Sequence, residues 1–164
     1  MKKAVLIVVM ICSSMICFAQ SNLLSFEDIK YVLHNDLDHV DTFLVAKGYK
    51  IKSKSIKKKY NEYTMPIKGG TFVNVNVRAD GKRMFVDMET TELGQYDLIV
   101  NSILQFPNKS SVIAGDIQTY TIKGECTAYI TVNDVAPYNP LRKDYDIQFI
   151  ADKNVTADKD LNNF

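Results

Sequence analysis

The sequence predicts an α+β domain: two tandem helix-plus-antiparallel-strand repeats that form one antiparallel sheet, with both helices packed on one face. Three observations lead there. Apolar residues recur at spacings of three and four in two stretches, and each stretch is followed by segments in which they recur at spacing two. Ile67-Lys68-Gly69 and Ile122-Lys123-Gly124 stand 55 residues apart, each followed by an alternating strand that ends at Val77 or Val132. Beyond residue 19 the only cysteine is Cys126, so no internal disulfide can hold the monomer and a hydrophobic core must.

The leading residues have another character. Lys2 and Lys3 precede an unbroken apolar run from Ala4 through Ile11, and Met15-Ile16-Cys17-Phe18-Ala19 places small side chains at the −3 and −1 positions of a cut. The run falls short of the about 20 apolar residues that span a bilayer. Residues 1–19 therefore read as a signal peptide cleaved after Ala19, and the mature chain as periplasmic or secreted, with no transmembrane segment. Acylation of Cys12 or Cys17 is the rival reading, but Ile precedes both where a lipobox has Gly, Ala or Ser. Loss of Lys2 and Lys3 lowers the formal net charge from +1 to −1. So small a charge argues against nucleic acid and against an anionic membrane as partners.

The mature chain is expected to fold over residues 20–151 as one domain, with repeats at about 24–90 and 91–151. At that size a chain buries about two-thirds of its unfolded surface. Ser25 followed by Asp28 is a capping-box pattern, and Leu24 can staple onto Ile29. Phe26, Ile29, Leu33, Leu37, Val40 and Leu44 then form one apolar stripe, and Gly48 supplies a left-handed stop. The expectation is one helix from Phe26 to Lys47. After Gly48 two strands follow, around Tyr49–Lys54 and Tyr63–Ile67. Next comes a hairpin: Val73, Val75 and Val77 lead into Asp80-Gly81 and out through Met84, Val86 and Met88, which pairs Val77 with Met84 and Val75 with Val86.

A second helix is expected from Glu92 to Gln105, capped by Thr91 and ended by Phe106-Pro107-Asn108. Strands around Ile117–Lys123, Cys126–Asn133 and Asp144–Ala151 complete the second half, and residues 152–164 read as a polar flexible tail. This tandem layout resembles the architecture of the β-lactamase-inhibitor-protein class of binders, in layout alone and with none of its motifs.

Four features carry candidate chemistry. On a single helix His34, Asp38 and Asp41 would share one face and converge on a divalent metal, although the same spacing arises on any solvated helix flank. Six lysines between Lys50 and Lys59 would meet an anionic partner or guard an exposed strand edge. On the sheet face away from the helices, Phe72, Asn74, Asn76, Arg78, Phe85, Asp87 and Glu89 join Thr127, Tyr129 and Thr131, a mixture of aromatics with Asn, Asp and Arg that suits recognition. Finally, Pro137 and Pro140 stiffen a long loop with Tyr138 near its tip. No serine-nucleophile turn and no cofactor motif is present, and no residue beside Cys126 activates its thiol. The expected function is that of an exported, non-enzymatic binding module whose partner is a protein or an envelope component and which needs no cofactor. A metal-assisted hydrolase using His34, Asp38 and Asp41 is one rival, and a structural assembly subunit pairing through sheet edges is another.

Overall fold

The computed structural model describes residues 22–80, 83–134 and 143–152. The expected signal peptide, the Gly81 turn, the loop bearing Tyr138 and the tail past Asp152 lie outside the described residues. Those described form an α+β fold of three helices, α1 (Phe26–His34), α2 (Leu37–Ala46) and α3 (Leu93–Leu104), and eight strands. The strands are β1 (Lys50–Ser55), β2 (Tyr60–Pro66), β3 (Phe72–Asp80), β4 (Arg83–Thr90), β5 (Lys109–Ala114), β6 (Ile117–Ile122), β7 (Cys126–Asp134) and β8 (Lys143–Ala151). All pair antiparallel in a single sheet of order β1-β2-β3-β4-β8-β7-β6-β5.

The capping box at Ser25 forms as expected: Ser25 Oγ accepts from the Asp28 amide at 3.3 Å, and Asp28 Oδ2 accepts from the Ser25 amide at 2.8 Å. The helix it starts does not run on to Lys47. Asn35 and Asp36 are both extended, and Asp36 Oδ1 accepts from the amides of Asp38 at 3.1 Å and His39 at 2.9 Å, capping a second helix. Short polar side chains compete with the helix for its own backbone groups, and such a cap is worth about 1 kcal/mol. The apolar stripe hides the break because Val40 and Leu44, beyond it, are as buried as Phe26 and Ile29 before it. Gly48, at φ 92°, then ends α2 in the left-handed region.

The third helix is shorter than expected and is capped by Glu92, whose carboxylate accepts from the Gly94 amide at 3.4 Å. Thr91 instead accepts from the Phe72 amide at 3.3 Å, which ties the helix entry to β3. Of its apolar residues Leu93 and Leu104 are exposed, whereas Ile99 and Ile103 are buried together with Gln95.

The β3–β4 hairpin is displaced by two residues from the expected pairing. Val75 lies opposite Met88 and Val77 opposite Val86, and the ladder extends to Asp80 opposite Arg83, so the connection is Gly81-Lys82 and not Asp80-Gly81. In sequence a Gly-X pair is as acceptable a two-residue connector as Asp-Gly. A slip of two keeps every side chain on its expected face, because faces alternate with period two. β5 is a strand that periodicity misses: Lys-Ser-Ser-Val-Ile-Ala has no alternation, and all but Lys109 are exposed.

Alternate residues of β2, β3, β4, β7 and β8 enter one buried cluster with the apolar residues of the helices. Val73, Val75, Val77, Ile130, Ile147 and Phe149 are wholly buried there. Phe26 packs edge-on to Phe106, with ring centroids 5.1 Å apart, and stands 6.1 Å from Phe149. Polar clamps fix α3 to the start of α1. Gln95 accepts from the Leu24 amide at 2.9 Å and donates to the Leu24 carbonyl at 2.7 Å, and Ser102 accepts from the Phe26 amide at 2.9 Å.

The sheet's two edges differ. β1 carries Lys50, Lys52 and Lys54, and its pairing with β2 is irregular between Ile51 and Ser53. β5 carries one charge, Lys109 at its start, and pairs with β6 without interruption from Lys109 to Ala114.

Candidate functional site

Side chains of β2, β3, β4, β8 and β7 that do not enter the core share the opposite face. Register places Glu62, Asn76, Asp87, Gln148 and Tyr129 in one row across these strands, and Thr64, Asn74, Glu89, Asp146 and Thr131 in the next. Across these five strands the two rows hold four carboxylates and no basic side chain. A third row holds Tyr60, Arg78, Phe85, Ile150 and Thr127.

Asn76 Nδ2 donates to Asp87 at 3.3 Å and Asn74 Nδ2 to Glu89 at 3.4 Å, so both asparagines hold neighbouring carboxylates in place. The Tyr60 hydroxyl donates to Glu62, and partial burial with that carboxylate beside it pushes Tyr60 up to about 12. Arg78 lies over the Phe85 ring, 4.8 Å from its centroid, an arrangement that a π face and a guanidinium both favour. Asp146 is the strained member. Its Oδ1 is buried without a hydrogen-bond partner, and desolvation, then the charge of Asp87 and a hydrogen bond shared with it, then the charge of Glu89, push the carboxyl up to about 6.

Between the third row and the first lies a recess of about 370 Å³ lined by Tyr60, Asn76, Arg78, Phe85, Asp87 and Gln148, with Val86, Phe149 and Ile150 behind them. A second, of about 250 Å³, adjoins it across Ile150 and is bordered by Arg83, Thr127, Tyr129 and Cys126. Burial pushes the Cys126 thiol up to about 12, so it stays protonated and unreactive near neutral pH. Neither recess holds a histidine, and the larger offers the Asp87 carboxylate beside the Tyr60 and Phe85 rings, groups that bind cations and amines, with Arg78 already against Phe85.

Of the expected contact residues, Asn76 and Phe85 line the larger recess and Tyr129 the smaller. Asn74 stands one row away, and Phe72 at the far end of β3 belongs to neither recess. Tyr138 lies outside the described residues. Sequence reading overlooked Glu62, Tyr60, Asp146 and Gln148. Their signal is present, since Glu62 and Thr64 alternate with Tyr63 and Met65, and Asp146 and Gln148 with Ile147 and Phe149, but the neighbours of β2 and β8 in the sheet follow only from topology.

The helix break disperses the proposed metal cluster. His34 ends α1, with Nε2 2.9 Å from Glu125 Oε2, while Asp41 on α2 accepts from the Tyr63 hydroxyl at 3.1 Å and faces Lys54 at 3.5 Å. Asp38 stands 3.9 Å from the same lysine. Among the described residues no group of three His, Cys, Asp or Glu side chains is placed to hold a metal ion. The other lysines of the Lys50–Lys59 run are exposed on β1 and on the turn that follows it. No helix among the described residues is long and apolar enough to cross a membrane. The chain matches no protein family, no curated protein and no solved structure.

Proposed function

We propose that this chain is an exported, non-enzymatic binding module of the periplasm or secreted space, and that it recognises the cationic surface of a protein or envelope component with the open face of its sheet. The signal-peptide pattern of residues 1–19 supports export. The finer architecture belongs to the same reading: the halves about 24–90 and 91–151 are tandem repeats, and their helices pack on one face. The sheet order supports this, since β1 to β4 and β5 to β8 each form a run of four strands that meet at β4 and β8.

The observation that carries the binding reading is the division of side chains along each strand. Val73, Val75 and Val77 are wholly buried, whereas Asn76, Phe85 and Asp87, on alternate positions, remain accessible around a recess that Tyr60 and Arg78 also line. Asp146 adds an energetic argument. A partner cation beside it would relieve the repulsion from Asp87 and Glu89, so the free protein holds a carboxylate whose charged form a partner stabilises.

A photo-crosslinking amino acid placed at Phe85, Asn76 or Tyr129 in producing cells tests this. Adducts at these positions, and none from a probe at Glu27 on α1, are expected. Adducts from Glu27 alone, or none at any open-face position, would sink the reading.

A further inference from the structure

We infer that two copies of this chain pair through β5, antiparallel about a two-fold axis at Val112, so that two sheets become one. This rests on the edges of the sheet and is independent of what the open face binds. Among the described residues β5 is the last strand on its side, and no other strand pairs with its outer edge. From Ser110 to Ala114 every residue is exposed and none is charged; Val112 is 63% and Ile113 74% accessible. An edge of this kind is a template for another extended backbone.

The opposite edge indicates which backbone. β1 presents three lysines and an irregular ladder, two devices that turn an incoming strand away. A β1–β1 pair would oppose lysine to lysine, and growth of β5 onto β1 of another copy would meet the same guard. Only β5 on β5 escapes it. That contact uses one unguarded edge from each copy and leaves guarded edges outside, so association closes at two.

Symmetry then fixes the register. A two-fold axis normal to the sheet maps each face onto itself, so it must lie midway between the two copies of a residue paired with its own counterpart. Axes at Ser111 and at Val112 each leave five residues of β5 facing β5, and Val112 is preferred because it sets valine against valine, whereas Ser111 would set serine against serine and Ile113 against Lys109: at Val112, Ser110 faces the second copy's Ala114, Ser111 faces Ile113, and Lys109 falls opposite Gly115, so no like charges meet. The two Ile113 side chains lie diagonal to one another, within reach across the ladder. Both open faces fall on the same side, which doubles the recognition surface without a new site. One strand pair is a small interface, so the dimer is weak and concentration-dependent.

Sedimentation equilibrium from micromolar to millimolar protein tests this. The parent chain is expected to pass from monomer to dimer and no further. Val112→Lys should stay monomeric with an unchanged melting temperature, since its side chain is exposed, while Lys52→Ser leaves the association constant as it was. Under mild oxidation Val112→Cys should link to its own counterpart well beyond the parent and beyond Ser53→Cys on the other edge, because Cys126 is buried. A parent chain that remains monomeric, a Val112→Lys variant that still dimerises, association past two, or equal linking of the Val112 and Ser53 variants would each overturn the proposal.

Discussion

The two faces of this sheet are made by the same strands and do opposite work. On one, Val75, Val86 and Ile147 contribute nothing but volume, and their neighbours leave no gap for water. On the other, the residues in between keep polar and aromatic groups accessible, and one carboxylate is held at a cost. The lesson is that period-two patterning divides a strand between stability and recognition, so mutations one residue apart should belong to different categories of effect.

The largest test of that division is Phe149→Ala. Phe149 is wholly buried beside Phe26, and its removal should cost about 3–5 kcal/mol by urea denaturation, near the limit of what a domain of this size tolerates. Val75→Ala should cost about 1–3 kcal/mol in the same assay, as lost methyl groups leave a cavity. Phe85→Ala, ten residues away round the hairpin, should cost under about 1 kcal/mol, since the ring stands at an open recess with Arg78 above it. If Phe85→Ala proves as costly as Val75→Ala, the comparison fails and the open face is covered in solution.

A smaller effect separates the faces by pH. The Asp146 carboxyl is raised from 3.8 to about 6, so between those values the folded chain holds a proton that the unfolded chain has lost. Stability contributed by this group therefore falls as pH rises from about 4 to about 6 and is level above that. Melting curves at pH 5 and pH 7 should show the parent chain losing more stability over this interval than Asp146→Asn, which has no carboxyl to ionise. Equal losses would mean that neither burial nor the neighbouring carboxylates raise this group in the folded chain. The smallest expected effect is none: added zinc should leave the melting temperature unchanged, and a rise abolished by His34→Ala would restore the metal reading of the helix side.

The face division was legible in the sequence because it depends only on parity. Val73, Val75 and Val77 against Asn74 and Asn76 is a pattern that survives a two-residue error in hairpin register, and it did survive one. The helix break was not legible from hydrophobicity, because Leu33, Val40 and Leu44 serve one core from two helices. It was present in the polar residues: Asn35-Asp36 followed by the acidic Asp38 in the next turn is a cap signature. β5 was invisible for a physical reason, since a strand exposed on both faces needs no alternation. The carboxylates of the candidate site divided similarly. Asp87 and Glu89 followed from the hairpin, while Glu62 and Asp146 needed the neighbours of β2 and β8, which no local pattern encodes.

The place of β8 has a consequence for how the chain is made. The last in sequence of the described strands, it lies between β4 and β7, near the middle of the sheet. A chain emerging amino end first therefore completes β1 to β4 and then β5 to β7 with two inner edges bare, each bordered by the apolar residues that later become core. Those edges close only when residues 143–151 arrive. A nascent or truncated chain that stops short of Lys143 carries two sticky half-sheets, and premature termination there should yield aggregates and not a smaller soluble domain.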